Sequence, residues 1–96
     1  MDDDAPNGSA SKAALEKMLQ DISRLIGETL GFRKELLGLQ QEFADLVATG
    51  HVSDFSQRLQ AEQFRRSFGR VDECLSKLNG QRAIALRALK KLEQQP

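Results

Sequence analysis

Cys74 and His51 are the side chains best suited to covalent or acid–base chemistry, each the single residue of its type in the chain. A thiol–imidazole dyad needs its two partners within about 3 Å. About twenty residues separate them, which is roughly 30 Å at the helical rise of 1.5 Å per residue. The chain has no Cys-x-x-Cys, no His-Glu-x-x-His and no glycine-rich phosphate loop, the patterns that would concentrate ligands or backbone amides on one point. Asp2, Asp3 and Asp4 run consecutively and lack the alternating ligands and bidentate glutamate of a calcium loop. The expectation is a protein that is not an enzyme, with no catalytic, cofactor-binding or metal-binding residues, no cofactor and no small-molecule substrate. His51 then reads as a solvated turn residue and Cys74 as a small apolar side chain beside a helix seam.

Basic side chains offer a second kind of chemistry. Arg66, Arg70, Lys77, Arg87 and Lys91 fall on outward positions of one helical stretch, a ridge of the kind that tracks phosphates. Glu73 and Ile84 interrupt it, and no aromatic residue is interleaved for base stacking. With 14 Lys and Arg against 14 Asp and Glu, the formal net charge is zero, so no overall field draws the chain to polyanions. A nucleic-acid-associated helical module is the alternative function, and a solvated helix face is the preferred account of the ridge. One cysteine leaves no intramolecular disulfide and fits a reducing compartment. No apolar run approaches the roughly 18 residues of a membrane helix, and no basic-then-apolar leader opens the chain. The expected setting is cytoplasmic, without membrane attachment.

The elements that must position these residues follow from hydrophobic spacing. Residues 1–10 read as a flexible acidic tail carrying Pro6, Asn7, Gly8 and Ser9, and residues 11–96 as a single helical hairpin domain. Ser9 or Ser11 is a candidate N-cap. A first helix is expected over about 12–48. Within it Leu15, Met18, Ile22, Leu25, Thr29, Phe32, Leu36, Leu39, Phe43 and Leu46 are spaced alternately by three and four, the pattern of a coiled-coil seam. Residues 49–53 form the loop, with Gly50 as a left-handed helix stop, Ser53 as the next N-cap, and Asp54 in the first turn where the helix dipole favours it. A second helix is expected over about 54–93, with its own seam at Ala61, Phe64, Phe68, Val71, Leu75, Leu78, Arg82, Ala85, Leu89 and Leu92. Glu62 with Arg66 and Glu73 with Lys77 provide i,i+4 pairs.

The two seams register against each other. Leu15 pairs with Leu89, Met18 with Ala85, Leu25 with Leu78, Phe32 with Val71 and Leu36 with Phe68, in steps that run forward on one helix and backward on the other. Ile22 opposite Arg82 is the one poor layer. Charge supports the same folding, since residues 1–54 carry five basic against ten acidic residues and residues 55–96 carry nine against four. The fold class is all-α, an antiparallel two-helix hairpin of coiled-coil type, expected to assemble into a four-helix bundle. A break at Asn79-Gly80, a common turn dipeptide, gives the alternative of a three-helix bundle.

Beside the first seam runs a further apolar stripe: Leu19, Ile26, Leu30, Leu37, Ala44 and Val47. Its large members are worth about 1.5–3 kcal/mol each when buried, and a two-helix hairpin has no third layer to cover them. These six are the expected partner-binding residues. The expected partner is protein, either a second copy or the helices of a hetero-complex, so that the chain serves as an oligomer, adaptor or chaperone-like subunit. In outline the sequence resembles secretion-system co-chaperones and the secreted Trp-X-Gly hairpins, which are also short, cysteine-poor and coiled. Where the latter carry tryptophan at the turn, this chain has Thr49-Gly50-His51-Val52 and no tryptophan. No motif commits it to either family.

Overall fold

A computed structural model describes residues 4–94, with side chains from residue 11 onward. Among them are two long α-helices and no strand: α1, Asp4–Ala48, and α2, Asp54–Glu93. A helical hairpin fits this order. α1 begins ahead of the expected start near residue 12. Pro6 does not oppose that, because a first-turn residue has no intrahelical acceptor for its N–H and proline lacks only that donor. Residues 1–3 of the expected tail, and residues 95–96, lie outside the described residues. α2 runs unbroken through Asn79 and Gly80. Its seam keeps phase there, and tertiary packing of an apolar face outweighs the roughly 1 kcal/mol that a helical glycine costs.

The connection between the helices is built as its residue types require. Thr49 donates its backbone N–H to the carbonyls of Asp45 and Leu46, and Gly50 donates to that of Val47 at 3.0 Å. Gly50 has φ of 78°, a left-handed conformation that costs other residues strain. Ser53 then caps α2: its Oγ accepts the N–H of Ser56 at 3.1 Å, and its carbonyl accepts that of Gln57 at 2.9 Å. Asp54 occupies the first turn. His51 ties the loop down. Thr49 Oγ1 donates its one proton to the Leu46 carbonyl at 2.6 Å. The 2.7 Å contact of His51 Nδ1 with the same hydroxyl therefore has the imidazole as donor, which places a proton on Nδ1.

The chain divides into two compact units, Glu28–Leu75 and the pair Met1–Gly27 with Ser76–Pro96. Glu28–Leu75 is by itself an antiparallel hairpin around the loop. Phe43 meets Phe64 with ring centroids 6.2 Å apart and planes tilted by 55°. Arg33 Nε donates to Asp72 Oδ1 at 3.1 Å while its guanidinium lies 5.4 Å from the Phe68 ring centroid. Leu36 and Val71, both buried, stand one heptad along each helix from Phe43 and Phe64. The second unit buries Ile22, Leu78 and Ala85, with Leu15, Leu19, Ile26, Leu89 and Leu92 half-buried. Among the described residues no polar side chain is buried and no large side chain is fully enclosed.

The register differs from the one expected from heptad spacing. Phe43 contacts Phe64, where the expected steps, continued one layer from Leu36 with Phe68, set Leu39 opposite Phe64. Ala85 is buried and Arg82 exposed, where the spacing set Arg82 beside Ile22. α2 presents most of the expected seam, but α1 is turned about its axis. Among the described side chains its buried or half-buried positions are Leu15, Leu19, Asp21, Ile22, Ile26, Thr29, Arg33, Leu36, Phe43 and Val47. Met18, Leu25, Phe32, Leu39 and Leu46 are exposed instead. The cause is the width of the apolar arc. At ~100° per residue, it runs from the Met18–Leu25 line, through Ile22 and Ile26, to the Leu30–Leu37 line, spanning about 160°. A single partner helix seats best on the middle of such an arc, and the edges stay outside.

Candidate interaction surface

The six residues of the expected stripe are split by this rotation. Leu19 and Ile26 in one unit, and Val47 in the other, are half-buried on the face that meets α2. Leu30, Leu37 and Ala44 are exposed on one flank. The opposite flank was hidden from heptad reasoning, which had assigned it to the core. Counting i,i+3/i+4 steps finds either edge of a wide arc equally well, and only its centre identifies the buried line.

That second flank is the more developed surface. Within Glu28–Leu75 it consists of Phe32, Leu39 and Leu46, seven residues apart, which keep 51, 53 and 53 % of their surface exposed. Two hollows open along it. One, of about 310 Å³, is lined by Glu28, Thr29, Phe32, Arg70, Val71 and Cys74. The other, of about 340 Å³, is lined by Leu39, Glu42, Phe43, Leu46, Gln60 and Phe64. In each, side chains of both helices form the walls, so a side chain entering from outside would meet apolar carbon below and a polar rim at the edge. In the remaining unit, Met18 and Leu25 are likewise exposed. Across the hairpin, on the Leu30–Leu37 side of Glu28–Leu75, the guanidinium of Arg33 covers part of Phe68 and is held there by Asp72. Arg33 had no place in the expected seam; its signal in the sequence is that it falls on the Leu19–Ile26–Val47 heptad line.

Other candidate groups are dispersed. Cys74 is an exposed free thiol in the wall of the first hollow, whereas His51 is committed to the loop. No group of three His, Cys, Asp or Glu side chains able to hold a metal ion occurs among the described residues. None of their helices is long and apolar enough to cross a membrane. The basic ridge is tied down at its first member. Arg66 Nε donates to Glu62 at 3.1 Å, and Arg65 grips both oxygens of the same carboxylate. The hydrogen bonds from Arg65, with its positive charge, hold the Glu62 carboxyl below the usual glutamate range, against a smaller opposing effect of burial. The same contact raises Arg65. Such exposed pairs contribute little to stability but leave two guanidiniums already partnered.

No protein-family model, curated protein or solved structure matches this chain. Its surface chemistry is therefore the whole basis for a functional reading.

Proposed function

We propose that this chain is a non-enzymatic protein-interaction module of the cell interior, a helical hairpin that oligomerises or serves as an adaptor or chaperone-like subunit through the apolar flanks of α1. The observation that carries this reading is the row Phe32, Leu39 and Leu46, half-exposed at heptad spacing beside two hollows. Isolated exposed leucines are ordinary on protein surfaces; an aligned row is characteristic of contact with another chain. Burying such side chains contributes about 1.5–3 kcal/mol each, enough for three of them to drive association. The exposed line Leu30, Leu37 and Ala44 supplies a second edge for the same purpose.

The experiment is the mass of the chain in extract of its own cells, at its native level. A particle heavier than one chain is expected, and Leu39→Glu should reduce it while circular dichroism shows the helices retained. A single chain in the extract overturns the reading.

A further inference from the structure

We propose that the occupant of the Phe32–Leu39–Leu46 face is the same face of a second copy of this chain, with α1 of each copy lying antiparallel against α2 of the other. This rests on the interaction-module reading and adds the identity and orientation of the partner.

Three observations point to self-pairing. First, Phe32, Leu39 and Leu46 keep about half of their surface exposed in one row beside two hollows, which is apolar area that a facing helix pair can cover. Second, on the Leu30–Leu37 side the Arg33 guanidinium already covers part of Phe68, whereas on the Phe32–Leu46 side hollows of about 310 and 340 Å³ open between the helices.

Third, the rims of the face are charged in a self-complementary way. Glu28 and Glu42 line the two hollows on the α1 side, and Glu35 lies between them, one heptad from each. Arg70 lines the first hollow on the α2 side. Two such faces can be related by a two-fold axis in two ways. An axis across the helices stacks α1 on α1 and brings the acidic rims together, which is repulsive. An axis along the helices stacks α1 on the partner's α2 and sets Glu35 of one copy opposite the partner's Arg70. The Leu36/Val71 and Phe43/Phe64 layers place those two positions about two residues, or ~3 Å, apart along the axis. The second arrangement also makes every helix antiparallel to both neighbours, as in an up-down four-helix bundle. The chain's zero net charge, divided into an acidic first part and a basic second part, suits association with itself.

The test uses the purified full chain, with mass measured by light scattering and affinity by sedimentation. Two chains per particle are expected. Glu35→Arg and Arg70→Glu should each weaken pairing by about tenfold or more through like-charge contacts. Mixing the two variants should restore it, because the mixed dimer pairs Arg with Glu at both positions. Leu39→Glu should give single, helical chains. A particle of one chain overturns self-pairing. If the chain is heavier in cell extract, the interaction-module reading stands with a different partner; if it is single there too, both fail. Tighter pairing of Glu35→Arg indicates α1 on α1 and overturns the orientation, as does failure of the mixture to recover. A Leu39→Glu chain that still pairs overturns the face.

Discussion

At the scale of single residues, the carboxyl of Glu62 is shifted by its arginine neighbours, and the direction of that shift makes a prediction. Its carboxyl is held low by Arg65 and, behind it, Arg66. A carboxylate whose folded pKa is depressed stabilises the fold above the unfolded pKa and loses that contribution as pH falls through the folded value. Carbon-detected NMR titration should therefore find Glu62 titrating below the ordinary glutamate value of 4.5, and Arg65→Ala should move it upward. An unchanged titration in Arg65→Ala would mean the carboxylate is not held as described. This i,i+3 and i,i+4 cluster follows from helical periodicity, and the Glu62–Arg66 half of it was legible in the sequence. The Arg33–Asp72 pair was not, because it joins residues 39 apart in the chain and depends on how α1 is rotated.

At the scale of elements, the loop was the most legible part. Gly50, Ser53 and Asp54 are each used for the local geometry their side chains favour, and local geometry needs no knowledge of the rest of the chain. Two glycines separate local conformation from steric fit. A Cβ at Gly50 or at Gly80 would meet nothing within 4 Å, so neither substitution creates a clash. Gly50 has positive φ, so Gly50→Ala should destabilise by about 1–2 kcal/mol through backbone strain. Gly80 lies inside α2, so Gly80→Ala should stabilise by about 0.5–1 kcal/mol. Urea unfolding followed by circular dichroism reads both. A destabilising Gly80→Ala would argue for a break at Asn79-Gly80, the alternative that the continuous α2 does not show.

At the scale of the whole molecule, the distribution of apolar side chains is the dominant feature. Five hydrophobic residues are buried among the described residues, while eleven large ones remain exposed. Leu36 and Leu39 test the difference because they sit three residues apart on α1 with opposite environments. Leu36→Ala should cost about 2–4 kcal/mol by opening a cavity in the Glu28–Leu75 hairpin. Leu39→Ala should change the stability of the separated chain by less than about 0.5 kcal/mol. Thermal unfolding at concentrations below association would check both, and equal losses would place Leu39 in the core. On the self-pairing proposed above, Leu39→Ala acquires a further cost in the paired state, so its effect should grow with protein concentration.

Local rules acting on the sequence determined that the chain is helical, where α1 ends, how α2 is capped, and that two amphipathic stretches are available to pair. Each of those properties depends on residues within one or two turns of one another. Which line of the α1 arc is buried was decided only by tertiary structure. Phe32 and Leu39 fit a heptad seam as well as any residues in the chain, yet they lie outside it. An apolar arc of about 160° is wider than one helix can cover, and the midpoint of that arc, set by Ile22, Ile26 and Leu36, is where α2 packs. The flank left over is the surface on which the functional reading depends.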